Sequence, residues 1–570
     1  MKRRTSLAPA LGALILWAAG DKATHAVRGA WGGPGDATRR LNEITPALQR
    51  EFSGVAISLD SRDMLGGLAA VVLVLLIIAY RRAGRQTERI GEEHGSAEWG
   101  GPRDFARFRP RKGELALQFT ATETLSLNGR RVERNSNALV IGSAGSRKTR
   151  GFVIPNILAI GEASMANTDP KGEVYAATAD RLEDAGYNVR ALNLVDLKHS
   201  WKFNPFRYIN PEQPEVSIAQ LADTIVTNTD GQRTSHGGND AFWERAERAL
   251  LTSLIAYVYF TDNLDGDGSR PASLVNVVDL AKQLQASETD EKHRSEVDRK
   301  MADVRELLDT WVDLPDVPKE ASDQVRDGLS YTVAQYRVFE QGAGETKKGV
   351  IISLGVRLAI IDVPQVRRIM EDDTLALDAL GDELGAVFCI LPDTHQTFRF
   401  IGALFWQALF TTNVYEADHS PGGSLSVPLI CFLDEFANIG TIPDFPQLIS
   451  TVRSRGISVA VILQALTQLK AKYRDDWETI AGNCDSMLFL GGTEPTTTEW
   501  VSKRLGNSTI KVEENSQSYG SHGSWSRSLR NVKRELLTPD ELGRLPEGEC
   551  IYMLRGVKPF RSRKVPIFRG

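Results

Sequence analysis

The sequence predicts an α/β protein: a largely parallel sheet interrupted by an all-helical insertion and carried behind an amino-terminal membrane anchor. Three observations predict it. Apolar runs that end in polar tips and lead into helical stretches recur along the chain, the rhythm of a sheet whose ligands gather at the carboxyl ends of its strands. The stretch Gly142-Ser143-Ala144-Gly145-Ser146-Arg147-Lys148-Thr149 closes one such run and reads as a phosphate-binding loop between strand and helix. A charge-free apolar segment, Met64 to Tyr80, is long enough to cross a bilayer.

Composition bounds the reading without deciding it. A chain of 570 residues exceeds one typical domain, so two or three are expected. The formal net charge of −5 carries no bulk signature of nucleic-acid binding, so any DNA contact must come from local patches. Cys389, Cys431, Cys484 and Cys550 are scattered without C-x-x-C spacing and read as reduced core residues, not metal ligands or disulfides.

In chain order, residues 1–90 form the anchor. Lys2-Arg3-Arg4 precedes a first apolar segment, 7–20, for which a retained spanning helix and a signal peptide both stand. The second segment, 64–80, is followed by Arg81, Arg82 and Arg85, which place the carboxy-terminal body in the cytoplasm and leave 21–63 as a short outside loop. Residues 91–210 then open the nucleotide-binding domain with the strand Ala138–Ile141, a strand near Ala163–Asn167 tipped by Thr168-Asp169-Pro170-Lys171-Gly172-Glu173, and a strand Val189–Leu194 leading to Asn204-Pro205-Phe206. Helical periodicity without a convincing strand fills 211–348, the expected all-α insertion. Asp265-Gly266-Asp267-Gly268-Ser269 within it lacks the downstream Glu of a calcium loop and reads as a turn. Residues 349–570 resume the sheet with runs at 386–391, 427–433, 459–463 and 487–490, and the Ser/Gly-rich stretch 515–528 reads as a mobile loop.

Two of these strand ends carry chemistry. In a phosphate loop, backbone N–H groups and the positive end of the following helix cradle phosphate oxygens, a Lys reaches the terminal phosphates and a hydroxyl binds Mg2+. Lys148 and Thr149 fill the last two roles. Arg147 stands where the pattern has its second glycine, and a Gly/Ser-rich surface turn is the competing reading of the stretch. The run ending in Asp434-Glu435 delivers adjacent carboxylates to a strand tip, the first suited to hold Mg2+ and the second to deprotonate an attacking water. Acids capping a helix are the alternative there. Gln464, at the tip of the next strand, is placed to sense a terminal phosphate, and Arg453 and Arg455 are suited either to a neighbouring subunit or to solvent.

Together these residues resemble those of the type IV secretion coupling proteins, the membrane-anchored ATPases of conjugative DNA transfer, of the kind found in Gram-positive mobile elements. The resemblance runs from about Gly95 to the end. It rests on Asn137-Ala-Leu-Val-Ile-Gly142 with the phosphate loop, Thr168-Asp-Pro-Lys-Gly-Glu173, Phe203-Asn-Pro-Phe206, Phe242-Trp-Glu244, Leu433-Asp-Glu-Phe-Ala-Asn-Ile-Gly440 and Ile480-Ala-Gly-Asn-Cys-Asp485. The resemblance implies a RecA-like P-loop NTPase with an all-α insertion and a membrane hairpin, assembled as a homohexamer on DNA. It implies ATP and Mg2+ as cofactors, and a relaxase or relaxosome and the secretion channel proteins as partners. By motif order, Lys148, Glu435, Gln464 and a trans-acting Arg453 would be catalytic, Gly142 to Thr149 would bind nucleotide, and Thr149 and Asp434 would hold the metal. An ATPase that recruits only protein effectors and a membrane scaffold with little turnover are the other readings.

Overall fold

The computed structural model describes residues 8–85, 92–229, 240–265, 271–287, 289, 293–314, 317–517 and 525–567. The chain divides into two compact units, one within 1–96 and 509–533 and the other within 97–508 and 534–570.

The first unit begins with three helices, α1 (Ala8–Trp31), α2 (Ala37–Ser53) and α3 (Ser61–Arg85). Of the described helices, only α3 contains a stretch long and apolar enough to cross a membrane, Ser61–Arg81, matching the expected segment 64–80. Of the other expected segment, 7–20, the described residues from Ala8 form the start of α1, whose apolar part gives way to Asp21, Lys22, His25 and Arg28. Small residues let α1 and α3 approach closely: a Cβ on Gly20 would lie 2.7 Å from Ala70 Cβ, and one on Gly67 would lie 2.6 Å from the Trp17 carbonyl oxygen. Where the pair becomes polar, buried Asp63 accepts hydrogen bonds from Arg28 (2.8 Å) and Ser58 (2.7 Å) and pairs with His25 (2.7 Å).

The described residues contain thirteen strands. A small antiparallel hairpin, β1 (Ala116–Gln118) and β2 (Thr124–Ser126), precedes β3 (Ala138–Ile141), β4 (Ser164–Asp169) and β5 (Asn188–Asn193). After the helical region come β6 (Gly385–Ile390), β7 (Leu429–Leu433), β8 (Ile457–Leu463) and β9 (Ser486–Phe489). The last four are β10 (Asn507–Gln517), β11 (Trp525–Glu535), β12 (Glu549–Leu554) and β13 (Phe560–Arg563). Nine of them form one sheet in the order β13-β12-β9-β3-β8-β7-β4-β6-β5. It is parallel from β9 to β5, and β12 and β13 add antiparallel strands at one edge.

Both faces of this sheet are covered, which is why its strands read as continuous apolar runs. Leu139, Ile141, Leu433 and Leu463 face one core with Trp406 and Leu254, whereas Ala138, Val140, Ile430 and Phe432 face another with Phe119, Phe152 and Tyr552. Between β5 and β6 the described residues form helices and turns only, from Pro214–Thr229 to Pro364–Met370, so the helical stretch runs past the expected limit of 348. Two of its helices, Asp240–Asp265 and Lys319–Glu340, press together where Gly328 faces the Phe260 ring. All four cysteines are buried and free, as expected.

The structure differs from the expected mobile loop at 515–528. Its described residues, 515–517 and 525–528, belong to the two-stranded sheet of β10 and β11, tied across by an Arg527–Glu513 ion pair, while 518–524 lie outside the described residues. None of the hairpin's described residues belongs to either apolar core, so a search for core-forming pattern passes over it. The expected turn at 265–269 lies, beyond Asp265, outside the described residues, as does Lys2-Arg3-Arg4.

Candidate functional site

The sheet order brings the chemistry-bearing tips together. Strand β8 lies between β3 and β7, so residues following Ile141, Leu463 and Leu433 emerge side by side at one edge of the sheet. The loop after β3 is fixed to its neighbours: Gly142 N–H donates to Leu463 O (3.1 Å), and Ser143 N–H to Gly491 O (2.9 Å). Gly142 admits no side chain, because a Cβ there would sit 2.3 Å from Ser146 Oγ and 2.9 Å from Leu490 Cβ.

Arg147 holds φ at +75°, the left-handed backbone that the pattern's glycine would adopt freely. Its guanidinium reaches Glu547 Oε1 at 2.7 Å, and this hydrogen bond, with the guanidinium charge, holds the Glu547 carboxyl below its usual range. Beyond it the chain widens into a π-helical turn, Thr149–Val153, in which Ile154 N–H bonds Thr149 O; Pro155 supplies no donor for an ordinary turn.

Lys148 Nζ donates to Gly142 O (2.9 Å) and Ser143 O (3.2 Å), so the lysine arches back over its own loop. Burial pushes its pKa down, opposed by the charges of Asp434 and Glu435. Thr149 Oγ1 donates to Asp434 Oδ2 at 2.6 Å across the gap between the two strand ends. Asp434 is buried, and burial raises its pKa to about 6 despite the Thr149 hydrogen bond and the Lys148 charge.

Glu435 also has a left-handed backbone, φ +48°. Its two oxygens accept from Asn438 Nδ2 (2.7 Å) and Gln464 Nε2 (3.3 Å). Thus Lys148, Thr149, Asp434, Glu435 and Gln464 converge, and a cleft of about 620 Å3 opens over Ala144 to Arg150, Glu435 and Gln464.

The same cleft is rimmed by Lys171, Glu173, Asp393, Asn438 and Glu547, none of which the sequence singled out as a site residue. Lys171 and Glu173 follow the tip of β4; Lys171 faces Asp393 at 3.6 Å and Glu173 pairs with Arg150. Asp169 accepts the Tyr175 N–H at 2.8 Å and so fixes the turn that presents them. The signal for Lys171, Glu173 and Asn438 was their place inside motifs already noted; Asp393 and Glu547 lie in none.

Arg453 is not brought to this cleft. It sits in the short turn before β8, its Nη2 3.4 Å from Gly129 O, and lines a separate cleft of about 660 Å3 with Arg130 and Arg134 by the amino end of β8. Arg455, in the same turn, is engaged by Asp418 at 2.7 Å.

Comparison with known proteins gives consistent results. The family described as type IV secretory system conjugative DNA transfer matches residues 95–570. The chain is similar to the conjugal transfer protein TraG of Agrobacterium fabrum (strain C58), 24% identical over 574 residues that cover 93% of this chain and 80% of that protein. The unbound bacterial conjugative coupling protein TrwBdeltaN70 shares the fold with a TM-score of 0.57 at 17% identity, covering 84% of this chain and 97% of that one. TrwB solved with ADP and Mg2+ gives a TM-score of 0.56 at 16% identity, covering 83% and 93%.

Proposed function

Because the chain belongs to the type IV secretory system conjugative DNA-transfer family, with a match spanning residues 95–570, we propose that it is a coupling protein that uses ATP to move DNA from a relaxase complex toward a secretion channel. The observation that carries this reading is the Thr149–Asp434–Glu435–Gln464 constellation beside Lys148 on three adjacent strand ends.

The residues suit ATP with Mg2+; TrwB, noted above, was solved with ADP and Mg2+. Ser146 Oγ is buried with no hydrogen-bond partner among the described residues, Gly142 leaves room that a side chain would fill, and Lys148 sits at the loop mouth. Residues 142–149 would hold the phosphates, and Thr149 with Asp434 would hold Mg2+, which neutralises phosphate charge when bound. Glu435 would take the proton of the attacking water, Gln464 would orient against the terminal phosphate, and Lys148 would exchange its two loop carbonyls for phosphate oxygens.

Arg453, outside its own chain's cleft, would act on the nucleotide of the next subunit in a ring, the homohexamer that the resemblance implies being the assembly that supplies such a neighbour. The domain plan proposed is an anchor to residue 90, a nucleotide-binding domain in two parts, 91–210 and 349–570, and an all-α insertion, 211–348, between them, with the helical stretch itself continuing to Met370. The apolar helix Ser61–Arg81 would anchor the protein, and the arginines after Tyr80 would keep the ATPase body in the cytoplasm.

Asp434 and Glu435 divide the labour, and that division is the test. Glu435→Gln retains ATP binding and loses turnover, whereas Asp434→Ala weakens Mg2+-dependent binding itself. Equal loss of binding in both, measured by nucleotide titration, contradicts the assignment.

A further inference from the structure

Glu435 sits where the chain leaves β7 in a left-handed conformation that a non-glycine residue keeps only when its surroundings hold it. On the near side the hold is visible: Glu435 N–H donates to Asp434 Oδ1 (2.9 Å), Phe436 N–H to Ile462 O (3.0 Å), and Asn438 N–H to Glu435 O (2.7 Å). Those bonds fix the amides of the turn. Its carbonyls at Phe436 and Ile439 point the other way, toward the helix Leu466–Tyr473 that follows the Gln464 strand tip.

That helix meets them with one side chain. Lys472 Nζ donates to Phe436 O at 2.8 Å and to Ile439 O, and lies 4.6 Å from the centroid of the Phe436 ring. Tyr473, the next residue, stacks on Phe436 with centroids 5.8 Å apart and planes at 7°, and its hydroxyl accepts the Ile442 N–H at 3.3 Å. At the other end of the helix, Gln468 Oε1 accepts the Gln464 N–H at 3.0 Å. A single short helix therefore grips the phosphate-sensing residue with its first turn and the loop of the water-activating residue with its last.

We propose that Lys472 is a positioning residue for ATP hydrolysis: its two hydrogen bonds pin the loop 435–439 from behind, so that Glu435 faces Asn438 and Gln464 across the phosphate loop. The proposal rests on the reading of Glu435 as the base. Lys472 touches none of the reacting groups and acts only through the loop. The enclosure of its amine, together with the nearby charge of Arg399, pushes its pKa well below that of an ordinary lysine, and charged or neutral it remains a donor to both carbonyls. Enclosing a lysine amine is costly, and a solvent-facing lysine has no need of it.

The test uses the full chain in lipid nanodiscs as parent, Lys472→Met, Glu435→Gln and the double variant. Turnover, ATP binding by calorimetry and amide hydrogen exchange are read on each. We expect Lys472→Met to lose at least tenfold in kcat with ATP affinity within twofold. The peptide 434–440 should exchange at least tenfold faster while 142–149 is unchanged, and turnover should fall no further in the Glu435→Gln background. Turnover within twofold with unchanged exchange overturns the proposal, and so does a parallel loss of ATP binding with faster exchange at 142–149, which marks a general loss of structure.

Should Lys472→Met melt before assay, Lys472→Arg keeps the donors. Turnover within about threefold of the parent then supports the pin, and loss equal to Glu435→Gln with unchanged exchange overturns it. If Glu435→Gln still turns over, the base assignment fails on its own, and the exchange of 434–440 alone decides whether Lys472 holds the loop.

Discussion

At the scale of single residues, two backbone conformations define the candidate site, and only one was legible in the sequence. Arg147 stands at a position where the phosphate-loop pattern has glycine, so a left-handed backbone was foreseeable there, and φ is +75°. Nothing in Leu433-Asp434-Glu435-Phe436 announces that Glu435 also takes φ +48°, because that turn is imposed by partners on β8 and on the helix 466–473. A non-glycine residue in this region costs about 1 to 2 kcal/mol. The Arg147–Glu547 pair offsets little of that, because Glu547 is 78% exposed and water screens the pair. Arg147→Gly is therefore expected to tighten ATP binding by up to about tenfold, the factor that about 1.4 kcal/mol represents. Calorimetry showing weaker binding by the glycine variant would make Arg147 a ligand in its own right. Glu547 itself was invisible in advance: it lies 400 positions away from Arg147 and belongs to no motif.

At the scale of elements, apolar strands with polar tips were readable because both faces of the sheet are covered, and the helical stretch was readable from its periodicity. Strand order was not, since no sequence pattern says that β8 inserts between β3 and β7; that insertion is what brings Gln464 beside Glu435. Hairpin β10–β11 escaped because cross-strand charges stabilise it in place of apolar burial. The helical layer holds one more feature that composition hides. Arg357 and Glu247 pair at 2.6 Å with side chains 6% and 2% exposed, and Arg357 also donates to Val226 O at 3.0 Å, joining three helices. Glu247→Ala removes the carboxylate that Arg357 pairs with in this buried setting and is expected to cost about 3 to 5 kcal/mol, measured by urea unfolding followed in the helical signal. A loss below about 1 kcal/mol would mean that the Arg357 charge finds a partner or reaches water when Glu247 is removed.

At the scale of the whole molecule, Arg453 and the phosphate cleft lie apart within one chain, lining separate clefts. A site completed by the neighbouring copy, as proposed, would account for this, and such an arginine is worth roughly 10³ to 10⁵ in rate in related phosphoryl-transfer systems. Mixing Arg453→Ala protein with Lys148→Ala protein should then restore activity that neither has alone, because some interfaces in a mixed ring are intact; no recovery in demonstrated mixed oligomers contradicts it. The net charge of −5 gave no sign of a DNA partner, whereas a helix long and apolar enough to cross a membrane was plain from composition alone, so the proposed anchor was more legible than the proposed cargo. The central proposal, that this chain hydrolyses ATP to move DNA, is tested most directly by ATP hydrolysis of the full chain in lipid nanodiscs with and without single- or double-stranded DNA over a series of salt concentrations. The account predicts that DNA raises the rate several-fold and that the stimulation fades as salt rises, since phosphate contacts are salt-sensitive. Equal rates with and without DNA at every salt concentration would contradict it.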